Sequence, residues 1–346
     1  MRKLVLLFLL ILLLVQPVCA QELTPPEAPD SVQDLMPVQT ETFGQGLWKI
    51  VKDAVRILEP ELAKAGAICL SLMATVLLIS LLHGSSEHIT RILELGAALA
   101  IGALLLRSAG SMIRLGADTV TELSEYGKLL LPVMTAALAA QGGTTSSAAL
   151  YGGTVVFNTV LTSAVSGILI PAVYIYLVLS IAASAVGEDS LKKLGEFVKW
   201  LMTWFLKIIL YTFSGYMSIT GVISGTADSV AVKAAKMTIS GMVPVVGGIL
   251  SDASETVIVS AGVMKNAVGI YGLWAIAAIW ISPFLQIGVQ YLLLKATGVL
   301  CAAFGVKRCS ELIENFSSAM GLLLAMTGTV CFLILISTVC FMKGGS

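Results

Sequence analysis

Charge is scarce in this chain: 12% of its 346 residues are Asp, Glu, Lys or Arg, where a soluble domain carries about 25%. That scarcity excludes an ordinary soluble surface. Neither sign prevails, with 21 basic and 21 acidic residues, which removes the general electrostatic attraction that nucleic acid requires. No nucleic-acid partner is expected. Histidine is nearly absent, and His83 and His88 stand five apart in a short loop rather than at the i, i+4 spacing of a zinc-protease pair. No GxxxxGK[ST] phosphate loop occurs, so nucleotide hydrolysis by that route is excluded. The six cysteines include no CxxC, which indicates neither a zinc site nor a disulfide framework. Cys69, Cys331 and Cys340 lie in apolar runs as small packing residues, while Cys301 and Cys309 flank a basic loop. No cofactor, metal or catalytic residue is assigned. An intramembrane protease using two aspartates is the one enzymatic alternative that the residues leave open.

What the chain has in abundance is apolar sequence, 57% of its residues. Runs near the length that a bilayer core of about 30 Å demands recur between charged segments. The fold class is therefore all-α, a polytopic membrane protein with about six spanning helices, expected at 65–82, 92–109, 155–186, 200–224, 269–297 and 321–342. Residues 1–20, with Arg2 and Lys3 before an apolar stretch and Ala20 at the end, read as a signal peptide; the alternative is an uncleaved anchor. Residues 21–46 hold Pro25, Pro26, Pro29 and Pro37 among five acidic residues and are expected to form a flexible acidic linker. Residues 47–61 alternate apolar and charged faces at helical spacing, which predicts an interfacial amphipathic helix ending near Pro60. The polytopic domain then fills 62–346. With the amino end outside the cytosol, six crossings put the loops at 83–91, 187–199 and 298–320 together inside, with Lys192, Lys193, Lys199, Lys307 and Arg308, as the positive-inside tendency expects.

Two further segments, 129–140 and 242–250, are apolar but short, and each carries a Pro-Val pair. They are candidate re-entrant hairpins, with an interfacial loop as the alternative. They also belong to an internal echo: Asp118 with Asp228, Pro132 with Pro244, and Pro171 with Pro283, the last two pairs without a gap. This suggests a repeat of units 92–186 and 200–297, parallel or inverted according to whether the hairpins cross.

The polar connectors after the prolines carry the candidate conduit or packing positions, Gly142, Gly143, Thr144, Thr145, Gly247, Gly248, Asp252 and Glu255. Glycines let backbones approach closely, and hydroxyls solvate backbone groups or a small polar solute; tight helix packing through small residues is the alternative. Asp252 and Glu255 lie near membrane depth, where ionisable groups are costly and invite a functional reading. Arg114, Asp118, Glu122 and Glu125 share one helical face, and Ser229, Lys233, Lys236 and Ser240 another, which suits docking between units or simply a solvated face.

The run KLLLPVMTAALAAQGGTT at 128–145, the run ISGMVPVVGGILSDASET at 239–256 and VMKNAVG at 263–269 resemble the stage III sporulation protein AE family of endospore-forming bacteria. The resemblance extends over roughly residues 45–342. It implies a mother-cell protein in the membrane around the forespore, partnered by the bilayer and by the other proteins of the stage III sporulation channel complex, including its ATPase and ring-forming members. It implies no catalytic residues. The resulting expectation is a membrane component of a secretion-like complex required for spore development; the alternatives are a scaffold without its own conduit or a secondary transporter.

Overall fold

Apolar segments in a bilayer must satisfy every backbone N–H and C=O within themselves, and helices do so. In the computed structural model, which describes residues 25–37, 42–82, 87–140, 144–219 and 267–343, no strand occurs among the described residues. Helices α1 (Phe43–Leu82), α2 (Glu87–Ala140), α3 (Thr144–Ala164), α4 (Ile170–Val186), α5 (Asp189–Ile219), α6 (Ala267–Ala303) and α7 (Lys307–Lys343) follow in chain order. A π-helical turn, Val165–Leu169, joins α3 to α4, and Pro171 sits in the first turn of α4. Among the described residues six helices are long and apolar enough to cross a membrane, α3 and α4 counting as one.

The bundle is built around α7. Its most apolar stretch is 94% buried inside the protein, against 28% for α1 and 50% for α6. Phe316, Leu323, Val330 and Ile334 are fully enclosed. The hairpin from α6 to α7 turns through Phe304–Val306, where Gly305 adopts φ 81°. The two helices are then zipped antiparallel, Ser310 Oγ donating to the Gly298 carbonyl at 2.8 Å and Ser317 Oγ to that of Tyr291 at 3.0 Å. α2 runs parallel to α7, with Gly116 against Leu323 and Gly127 against Ile334. At 37 residues and 1.5 Å per residue, α7 is roughly 55 Å long, more than a bilayer core needs.

The helix ends that flank the loops expected to share one side lie together at one end of the bundle. Ser80 Oγ donates to the Phe304 carbonyl at 2.9 Å, Ser184 Oγ to that of Arg308 at 3.0 Å, and Arg308 pairs with Glu94 at 3.2 Å. Gly187 caps α4 there in the left-handed conformation, φ 79°, and a Cβ on it would stand 2.7 Å from the Arg308 guanidinium. At the opposite end, Trp274 Nε1 donates to the Phe43 carbonyl at 3.2 Å, and Gly272 admits Leu130 where a Cβ would be only 2.8 Å from it.

Three expectations are corrected. The amphipathic stretch 47–61 does not end at Pro60 but continues into the span as one 40-residue helix. Pro60 and Arg56 are both exposed, so the carbonyl freed by the proline faces solvent and the break is cheap. Pro132 likewise lies inside α2, and 129–140 is helical without a turn at the proline. Finally, the acidic linker is ordered where it is described: Asp30–Leu35 forms a 3-10 turn with Ala28, Val32 and Leu35 buried. Ala28 N donates to the Tyr271 hydroxyl at 3.3 Å, and Ser31 hydrogen-bonds Glu122. The second hairpin, 242–250, lies outside the described residues. Of the paired prolines, Pro171 opens α4 after a π turn whereas Pro283 lies within continuous α6.

Candidate functional site

Hydroxyls inside a membrane bundle normally turn back on their own helix. On α7, Thr327, Thr329, Ser337 and Thr338 do so, each donating to a carbonyl four residues earlier at 2.6–3.1 Å. On α2 and α6, Thr119, Thr135 and Thr297 behave the same way, each at 2.7 Å. Helix α3 breaks this pattern. Thr154, Asn158 and Thr162 recur every fourth residue and so share one face. Thr154 and Asn158 are buried, yet Thr154 Oγ1, Asn158 Oδ1 and Thr162 Oγ1 have no hydrogen-bond partner among the described residues. Among the described residues the row makes one side-chain bond, Asn158 Nδ2 donating to Ser124 Oγ on α2 at 3.3 Å.

An orphaned buried acceptor costs about 1–3 kcal/mol, so three in one row call for an explanation. Chemically the row offers neutral oxygens to water, to a desolvated ion or to a polar chain segment. It is held rigidly. α3 packs against α2, α5 and α7, Phe157 meets Phe213 edge-on with ring centroids 5.4 Å apart, and Gly153 lies directly against the Tyr216 ring.

A second polar feature lies on the other flank. A cleft of about 390 Å³ opens between α1, α2 and α6, lined among others by Glu61, Lys64, Arg107, Ser108, Gln286 and Gln290. Gln290 is buried and its Nε2 donates to Ser108 Oγ at 3.2 Å, while Lys64 pairs with Glu61 at 2.7 Å. Such a cleft suits a small polar solute or a lipid headgroup, with charge of both signs at its rim.

The positions singled out from the sequence fall unevenly. Thr144 and Thr145 open α3, the helix that bears the polar row, whereas Gly142 and Gly143 immediately before it lie outside the described residues. So do Gly247, Gly248, Asp252, Glu255, Asp228 and Pro244. Asp118 is exposed and lines a shallow surface groove with Glu122, Glu125, Glu27 and Pro29. The structure does not bring it to the polar row. Pro132 and Pro283 are interior to α2 and α6. Sequence reasoning missed Thr154, Asn158, Thr162 and Ser124, although an Asn flanked by threonines four residues away on either side, in an otherwise apolar run, was a visible signal.

Comparison with known proteins agrees with the residues. The curated stage III sporulation protein AE of Bacillus subtilis (strain 168) is 23% identical over 235 residues, covering 67% of this chain and 59% of that relative. The matched part thus spans about three fifths of the relative's length. No solved structure matches. The family model of stage III sporulation protein AE matches residues 31–345, more than half of the chain, so the chain belongs to the stage III sporulation protein AE family.

Proposed function

We propose that the chain, as a sporulation membrane protein, works as a membrane component of a secretion-like channel complex between mother cell and forespore. It acts in the mother-cell membrane around the forespore, with its amino end outside the cytosol. Its partners in this reading are the ATPase and ring-forming members of the stage III complex. Family membership supports the setting, and the six apolar helices support the membrane.

The observation that carries a conduit rather than a passive role is the row of unpartnered oxygens on α3. It starts ten residues after Thr144, the first residue of the same helix. A bundle that only held partners together would have no use for buried acceptors left unsatisfied. The conduit then runs along α3 beside α2, while α7 stays a solid core.

A scaffold without its own passage is the second reading, favoured by the dense burial of α7, which fills the bundle axis. Replacing Gly142, Gly143 or Gly248 with Leu, or Asn158 with Leu, separates the two. A conduit predicts that the ATPase and ring-forming proteins still co-purify while spore formation falls. Loss of co-purification in step with spore formation would favour the scaffold.

A further inference from the structure

Charge interrupts the apolar surface of the bundle on one face. Near the Arg308 end of the bundle, α5 exposes Phe197, Trp200 and Trp204, and α6 exposes Leu292, Val299 and Leu300. These are surfaces that suit lipid. Between the two helices, α7 presents Glu311, Glu314 and Ser318 outward, on one face by their helical spacing. Lys192 Nζ pairs with Glu311 at 2.9 Å, Lys295 with Glu314 at 3.5 Å, and Lys199 Nζ donates to Ser318 Oγ at 3.0 Å. This seam is open rather than buried, since the Lys192 and Glu311 side chains are 46% and 55% exposed.

Contact registers fix the heights along the seam. Both α5–α7 contacts join residues 119 apart, so the helices run parallel in constant register and Glu196 stands level with Glu314 and Asn315. Lys295, paired with Glu314, stands at that same height on the opposite side of α7. Glu196 is exposed, lies on the same side of α5 as Lys192 and Lys199 by helical spacing, and makes no ion pair among the described residues. The seam carries Lys192, Lys199 and Lys295 against Glu196, Glu311 and Glu314, three charges of each sign.

We propose that this seam is the contact face for a second copy of the chain. A face that carries both signs in equal number is its own complement. Copies inserted the same way in one membrane are related by an axis along the membrane normal, and the two-fold is the commonest closed symmetry. Such an axis keeps heights and exchanges sides, so the α5 side of one copy faces the α6 side of the other. Glu196 of each copy then meets Lys295 of the other at equal height, twice per dimer. The inference is independent of whether the row on α3 conducts.

The test is cross-linking in native membranes from a cysteine-depleted background, with differently tagged chains bearing Glu196→Cys and Lys295→Cys expressed together. A mixed dimer dominating over either same-site dimer is the expected result. Glu196→Lys, which breaks no ion pair among the described residues, should abolish self-association at unchanged membrane level, and adding Lys295→Glu should restore it. No mixed dimer while both cysteines react fully with a maleimide would overturn the proposal, as would undiminished self-association of Glu196→Lys. Cross-linking to a different protein or to lipid at both sites, without a mixed dimer, would overturn it too.

Discussion

Helices α7 and α3 both carry hydroxyls into the interior of the bundle, and they treat them oppositely. On α7 Thr327, Thr329, Ser337 and Thr338 return their protons to the preceding turn, while Ser310 and Ser317 bond carbonyls of α6, so every one of these hydroxyls is satisfied and the helix packs as a solid core. On α3 the oxygens of Thr154, Asn158 and Thr162 find no partner among the described residues. The first arrangement maximises stability. The second gives up stability in return for polar groups that can serve something else, which is the usual signature of a functional site.

The sharpest test of the α7 side of this comparison is to hollow it out. Phe316→Ala removes a fully buried ring and should cost about 3–5 kcal/mol, read as a large fall in the thermal unfolding midpoint of purified protein in detergent. A smaller loss is expected from Gly187→Ala, roughly 1–2 kcal/mol, because a side chain there adopts the left-handed conformation. Its Cβ also displaces the Arg308 guanidinium that pairs with Glu94; Gly187→Asn, which tolerates the conformation better, should lose less than a bulkier residue such as Gly187→Leu.

These effects also mark what was legible beforehand. The spans, their number and the gathering of helix ends at one end followed from apolar length and from where the lysines fell, since a bilayer imposes both. That α7 is the core was not legible. Hydropathy is the same for a helix facing lipid tails and one enclosed by other helices, because tails are as apolar as Leu. The docked segment 25–37 was missed for a related reason: its prolines and acids dominate the composition, while Val32 and Leu35, three apart, supply the buried contact. Pro60 was read as a helix end and Pro132 as part of a re-entrant hairpin, yet each interrupts a single backbone bond of a long helix. The row on α3 was written plainly as Thr154, Asn158 and Thr162, but it was averaged away inside an apolar run.

Finer changes separate the two helices directly. Thr329→Val on α7 removes a hydroxyl that bonds the Ala325 carbonyl at 2.6 Å and should cost about 1 kcal/mol with spore formation unaffected. On α3 the same substitution should act in the opposite sense on both counts. Thr154→Val deletes an unpartnered buried oxygen, so stability should hold or rise by up to about 1 kcal/mol while function falls.

The most direct measurement is therefore spore formation by a strain carrying Thr154→Val and Thr162→Val together, beside the unfolding midpoint and membrane level of the same protein. The account predicts a protein that is at least as stable and as abundant as the original, yet deficient in supporting spore development. Spore formation equal to the unsubstituted strain, at equal stability, would mean that the row on α3 is packing alone and that the conduit reading is wrong.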